Sequence, residues 1–199
     1  MKRNKKLLLL LILAIFSGLF ARDFDQDDYK IYHAASGEEI SLEKMATQLA
    51  DYDVIFFGEW HDDILLHKLQ ADILPLLDQN SDLTISMEMF ERDVQPVLDD
   101  FLADKITQAD FLKQSRAWGN YLTDYKPIID YAKQNELDVI AANIPRRYAS
   151  MISKQGVNAL DKLSAEEKSY VAKELKALDN QYKKQFMETM AANMGRKNR

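Results

Sequence analysis

The stretch Val54-Ile55-Phe56-Phe57-Gly58-Glu59-Trp60-His61-Asp62-Asp63 constrains this chain more than any other. Four apolar residues stop at a glycine and open directly into a glutamate, a histidine and two aspartates. A short continuous apolar run bounded by polar residues reads as a strand buried on both faces of a parallel sheet. Glycine allows a sharp turn at the strand end, which delivers the polar cluster to the sheet's carboxyl edge. Open α/β folds place their ligands at that edge. The stretch therefore predicts both a fold class and the position of a site.

The rest of the chain alternates in the same sense. Lys30–His33 reads as a short strand ending at the turn signal Ser36-Gly37. Ser41 caps a predicted helix over Leu42–Ala50, with Leu42, Met45, Ala46 and Leu49 on one face. A helix follows over Ile64–Leu77, with Asp62 or Asp63 as its cap. Leu83–Met87 is a second strand, running into Glu88-Met89-Phe90. Helical pieces are expected over Val94–Ala103, Gln108–Ser115 and Tyr125–Lys133. Asp138–Ala142 is a third buried strand, ending in Asn143-Ile144-Pro145-Arg146-Arg147. Strands spaced by helices predict an α/β protein, a parallel β-sheet flanked by α-helices. The helix-only remainder, about 146–194, forms a small helical lobe, in which Ser164 to Glu167 fits a capping box.

The first residues belong outside this fold. Lys2, Arg3, Lys5 and Lys6 precede an apolar run from Leu7 to Phe16 and a small-residue exit at Ser17-Gly18-Leu19-Phe20-Ala21. That is the pattern of a secretory signal peptide, 1–21. The run is shorter than the ~20 residues of a membrane span. Residues 22–199 are then one α/β domain, and removing four cations takes the formal charge from −6 to −10. An acidic balance of this size argues against a nucleic-acid partner. The chain has no cysteine, which excludes disulfides, thiolate metal ligands and the lipidated cysteine of a bacterial lipoprotein. A periplasmic or secreted location is expected.

Three predicted strand ends carry polar groups: Glu59 and His61, then Glu88, then Asn143 and Arg146. In a parallel sheet all three share one edge and can converge. Against this stands the ordinary tendency of strand-to-helix loops to be polar and to cap helices. His61 and His67, six residues apart, would be turned by roughly 240° on one continuous helix. They share a ligand only if His61 precedes the helix. Trp118, Tyr121 and Tyr125 before Lys126-Pro127 read as core or a helix start, although a tyrosine in an apolar pocket is also an iron ligand in haem proteins. His33, Lys183-Lys184 and Arg196-Lys197 read as surface residues.

Taken in order, Gly58-Glu59-Trp60-His61-Asp62-Asp63, His67, Glu88-Met89-Phe90-Glu91-Arg92 with Gln95, Trp118, Tyr125-Lys126-Pro127 and Ala142-Asn143-Ile144-Pro145-Arg146 resemble the ChaN-like haem-binding uptake proteins of bacteria. The resemblance spans roughly Lys30 to Met194. It implies an exported protein linked to an outer-membrane haem receptor, in which two monomers enclose two stacked haems. Each iron then takes one tyrosine, and a histidine and a lysine of the partner hold the propionates. Tyr125 is the tyrosine the motif points to, with Tyr121, Tyr148 and Tyr182 as alternatives, and His67 with Lys68 fits the propionate role. Glu59, His61, Glu88 and Arg146 complete the expected haem-binding set. A phenolate suits ferric iron and cations suit carboxylates. The superfamily also contains Tiki-type metalloproteases and erythromycin esterase-like hydrolases. The competing expectation is therefore a metal-dependent hydrolase using Glu59, His61 and Glu88. Both groups continue into a late strand bearing a further histidine, so the resemblance implies a C-terminally short form.

Overall fold

Ile31–Tyr32 (β1) and Glu39–Ile40 (β2) open the structure as an antiparallel hairpin, Ile31 opposite Ile40 and Tyr32 opposite Glu39. Gly37, at φ 72°, supplies the left-handed residue of its turn. In this computed structural model the described residues are 28–79, 82–174 and 179–197. The predicted signal peptide lies outside them. Two units are distinguished, one within Met1–Asn80 and one within Ser81–Arg199.

The first unit continues with two helices. Leu42–Leu49 (α1) starts where Ser41 accepts a hydrogen bond from the Lys44 N–H, and Leu42 and Ala46 are its buried residues. Ile64–Asp78 (α2) starts at Asp63, whose carboxylate accepts from the N–H groups of Leu65 and Leu66. Such a cap contributes about 1 kcal/mol. Of the face its spacing predicts, Leu65, Leu69, Ile73 and Leu76, the middle two are buried; Leu74 and Leu77 are buried with them, while Leu65 and Leu76 are half-buried. The expected strand at Val54–Phe57 does not form. The segment has no ladder partner among the described residues, and Phe56 is 95% exposed and Val54 66%. Apolar character alone does not make a strand; a neighbour must take up the backbone N–H and C=O groups.

The second unit holds a parallel pair, Ile85–Glu91 (β3) beside Val139–Asn143 (β4). Ile85 lies opposite Val139, Ser86 opposite Ile140, Met87 opposite Ala141 and Glu91 opposite Asn143. Between the last two pairs β3 spends four residues where β4 spends two. This irregularity brings Phe90 into the core, where it is fully buried, and delivers Glu91 to the carboxyl end. β4 was expected to be buried on both faces. Only Val139 and Ala141 are buried, while Ile140 is 46% exposed, because alternate side chains of a strand point to opposite faces.

Helices Gln95–Leu102 (α3), Gln108–Gln114 (α4) and Lys126–Gln134 (α5) belong to the same unit. An aromatic cluster fills it: Phe90 meets Phe111 at 5.8 Å and Tyr121 at 6.1 Å, and Phe101 stacks on Phe111 at 4.4 Å between ring centroids. Tyr121–Tyr125, one wide π-helical turn just before α5, buries Tyr121, Asp124 and Tyr125 together. Turns of this type cannot be read from a 3.6-residue period. Arg146–Gln155 (α6), the 157–162 turn and Ala165–Lys168 (α7) follow. Tyr148, Leu160 and Leu163 make their own apolar cluster, with Ile144, Met151 and Tyr170 packed on it. The predicted capping box is present: Ser164 accepts from the Glu167 N–H, and Glu167 accepts from the Ser164 N–H. Gln181–Lys197 (α8) ends the described chain.

Candidate functional site

Polar groups gather in two places, one in each unit. In the first, Glu59 leaves the extended segment and its side chain is only 8% exposed. Gln70 Nε2 donates to Glu59 Oε2 at 2.7 Å, His61 Nδ1 lies 2.8 Å from Oε1, and His67 Nε2 lies 3.5 Å from Oε2. His67 and Gln70, three residues apart on α2, present one face to it. His61 precedes α2, so the six-residue spacing does not separate the two imidazoles. A carboxylate only accepts, so the proton of the short contact sits on His61 Nδ1. Glu59 thus fixes the ring of His61, which is 56% exposed, as a second carboxylate fixes a catalytic or ligating histidine. Gln70 Oε1 is buried without a hydrogen-bond partner.

In the second, the carboxyl end of β3 is built around Asp93. Its carboxylate receives Arg116 on Oδ1 and Arg147 on Oδ2, while Arg116 also reaches Glu91 Oε2 at 3.0 Å. Arg147 donates to Tyr148 Oη at 2.9 Å and lies over the Tyr148 ring at 4.6 Å. The Tyr148 hydrogen bond and Asp93 raise the affinity of the Arg147 guanidinium for its proton. Arg116 holds a left-handed backbone, φ 53°. Sequence reasoning missed Asp93, Arg116 and Arg147. Only Arg147 had a signal, its place beside the asparagine-x-proline-arginine element.

The three predicted strand ends differ in local structure. Val54–Phe57 is not a strand, and Glu88 lies inside β3, exposed, three residues before its end. Asn143 does end β4, opposite Glu91. Arg146 is exposed at the start of α6. Among the tyrosines, Tyr125 and Tyr148 are fully buried and Tyr121 nearly so, whereas Tyr182 on α8 is 74% exposed. Tyr125 packs edge-on against Trp118 at 6.1 Å. The Tyr121 hydroxyl is buried without a partner, and desolvation, with Asp130 as a smaller cause, pushes its pKa well above the ordinary tyrosine range. His67 is buried, and Lys68 is part-exposed and paired with Asp72 at 2.5 Å. Among the described residues no group of three or more His, Asp or Glu side chains is arranged to hold a metal ion.

Neither of two hollows among the described residues is lined by a predicted site residue. A cleft of about 710 Å³ lies at the amino ends of β3 and β4, against Thr84, Asp99, Asp104, Lys133 and Asp138. It is at the wrong end of the strands for the carboxyl-edge groups. A more open hollow of about 490 Å³ is lined by Trp60, Asp62, Asp63, Ile64 and Leu65.

A parallel α/β core with helices and a carboxylate–arginine carboxyl edge, together with a Glu–His cluster at the head of a helix, defines the structural class. Within it, residues 45–199 match the family described as "Haem-binding uptake, Tiki superfamily, ChaN", and the chain belongs to that family. The fold is similar to that of ChaN of Campylobacter jejuni, whose structure shows cofacial heme binding. The TM-score is 0.60 at 20% identity, over 83% of this chain and 63% of that one. The chain thus spans less than two thirds of that relative. No curated protein sequence matches it.

Proposed function

We propose that this protein binds haem for uptake of haem or iron, and that it catalyses no reaction. The observation that carries this is the family match across residues 45–199. Export by the 1–21 leader, with haem received from or passed to an outer-membrane haem receptor, is the setting that reading implies, and two copies share the bound haems.

The residues present fit the group, on one condition about the ligand. An iron ligand needs an oxygen that a planar macrocycle can reach. Of the four candidate tyrosines, Tyr182 offers that, on a helix that also exposes Phe186 and Met190 one and two turns on. Tyr125, the tyrosine favoured by its motif, serves only if the packing over it opens. Bound there, haem iron would gain a phenol oxygen from Tyr182, with Lys183 and Lys184 placed for its propionates. Glu59, His61, His67, Lys68, Glu88 and Arg146 remain in the proposed haem-binding set, with His67 holding Glu59 and Lys68 the more accessible cation.

Haem titration followed by absorbance tests the reading. A folded protein should show a saturable Soret shift, which Tyr182→Phe weakens on the order of ten-fold and Tyr125→Phe leaves unchanged. If only Tyr125→Phe alters the spectrum, the ligand is Tyr125. No saturable shift from folded protein removes haem binding.

The Glu59–His61 contact favours one second reading, metal-dependent hydrolysis. It expects tightly bound divalent metal in the purified protein, and the loss of both metal and activity in Glu59→Gln.

A further inference from the structure

Arginines gather at the carboxyl end of the parallel strand pair. Arg92 is the first residue past β3, Arg147 follows the end of β4 in the first turn of α6, and Arg116 arrives from the loop after α4. All three are exposed. Among the described residues, the carboxylates within ion-pair distance of them are those of Glu91 and Asp93. Glu167 acts on Arg147 from farther away, its own carboxylate being held by the Ser164 N–H. Three guanidinium groups therefore face two carboxylates. Arg116 spends only Nη2, on Glu91 and Asp93 together. Arg147 spends one bond from Nη1, on Asp93, and one from Nη2, on the Tyr148 hydroxyl. These bonds use fewer than half of the N–H donors the two side chains carry. Arg92 has no side-chain partner among the described residues.

We propose that this end of the sheet binds a small oxyanion, a phosphate or carboxylate group, between Arg92, Arg116 and Arg147. A planar guanidinium offers paired N–H donors that match either group. Asp93, with its side chain 9% exposed, is the fixed inner counter-ion; it aims Arg116 and Arg147, which stay about half exposed. Their outer donors and the whole of Arg92 are what an incoming anion meets. The amino end of α6 adds to the same edge, because Pro145 caps it with no side-chain acceptor. Its first N–H groups therefore contribute positive partial charge beside Arg147. Open α/β sheets take their ligands at this edge. The site draws on no side chain of the proposed haem-binding set and lies wholly within the second unit, so it stands or falls apart from the haem reading.

Calorimetric titration of the full chain without haem, with inorganic phosphate and separately with citrate, gives the first answer. Sodium chloride at matched ionic strength is the control. Saturable binding beyond the chloride control is expected. Tighter binding of phosphate marks a phosphate ligand, and tighter binding of citrate a carboxylate one. The double variant Arg116→Gln/Arg147→Gln should weaken binding about ten-fold or more, since each charge-assisted contact is lost. That pair also holds Asp93, so Arg92→Gln supplies a reading independent of the network. Its side chain has no partner to lose, and the melting curve by circular dichroism should match the parent's. The anion should nevertheless bind about three-fold more weakly. A folded parent with no saturable binding of either anion overturns the proposal. So does an Arg92→Gln protein that binds as the parent does, because the anion then sits elsewhere on the chain.

Discussion

Val54–Phe57 and Val139–Ala142 are nearly interchangeable as sequences, apolar runs that open into polar residues, yet only one becomes a strand. Val139–Asn143 has β3 on one side, and on the other the side chain of Gln95. Gln95 Nε2 donates to the Val139 carbonyl at 2.7 Å, and Gln95 Oε1 accepts from the Ala141 N–H at 2.7 Å. One glutamine on α3 thus does for β4 what a neighbouring strand would do. Val54–Phe57 has no ladder partner among the described residues and stays extended and exposed. The difference lies in where the backbone hydrogen bonds go, which an apolar run does not encode.

The largest expected effect breaks the better-supported strand. Gln95→Ala frees a carbonyl and an N–H of β4 in a partly buried setting and removes both bonds at once. The loss should be about 2–3 kcal/mol, read as a lower urea midpoint. Gln95→Glu should lose nearly as much, since a carboxylate can accept from Ala141 but cannot donate to Val139. If both variants are as stable as the parent, water replaces the amide without cost, and Gln95 does not hold β4.

Local structure was legible where a local signal decides it. Ser41, Asp63 and Ser164 announce their helices because a short polar side chain accepts from the second or third N–H that follows. The 3.6-residue period places α2 and the buried Leu69 and Ile73, but not the turn of its face toward Leu74 and Leu77. The family, too, was legible, through ordered motifs. Less was visible where the outcome depends on partners distant in sequence. Glu88 looked like a strand end because the bulge in β3, which carries the strand on to Glu91, has no period-two signature. Asp93 looked like one charge among many; its role depends on Arg116 and Arg147, 23 and 54 residues away. Glu59 and His61 stood out together in the sequence and lie in contact at 2.8 Å; Gln70 did not stand out, because a glutamine on a helix face is ordinary until a buried carboxylate lies beside it.

A smaller effect sharpens the contrast between the two polar centres. Asp93 is 9% exposed at its side chain, but Arg116 and Arg147 are about half exposed, so solvent screens much of the attraction. Asp93→Asn keeps the shape and removes the charge between two guanidinium groups. A loss of about 1–2 kcal/mol is expected, together with a weaker salt dependence of the melting temperature, since the charge that salt screens is gone. An unchanged salt dependence would mean that Asp93 acts through hydrogen bonds alone.

The smallest expected effect is the most exposed to refutation. Phe56→Ser removes a large aromatic ring from a position that is 95% exposed. So little packs on it that stability should change by less than about 0.5 kcal/mol. Val139→Ala, which removes far less from a position 3% exposed, should cost about 1–2 kcal/mol. The two substitutions reverse the order that side-chain size predicts, because burial and not size sets the cost. If Phe56→Ser instead costs as much as a core truncation, the ring is covered within the chain. Val54–Phe57 would then be a core strand after all, and the contrast with β4 would disappear.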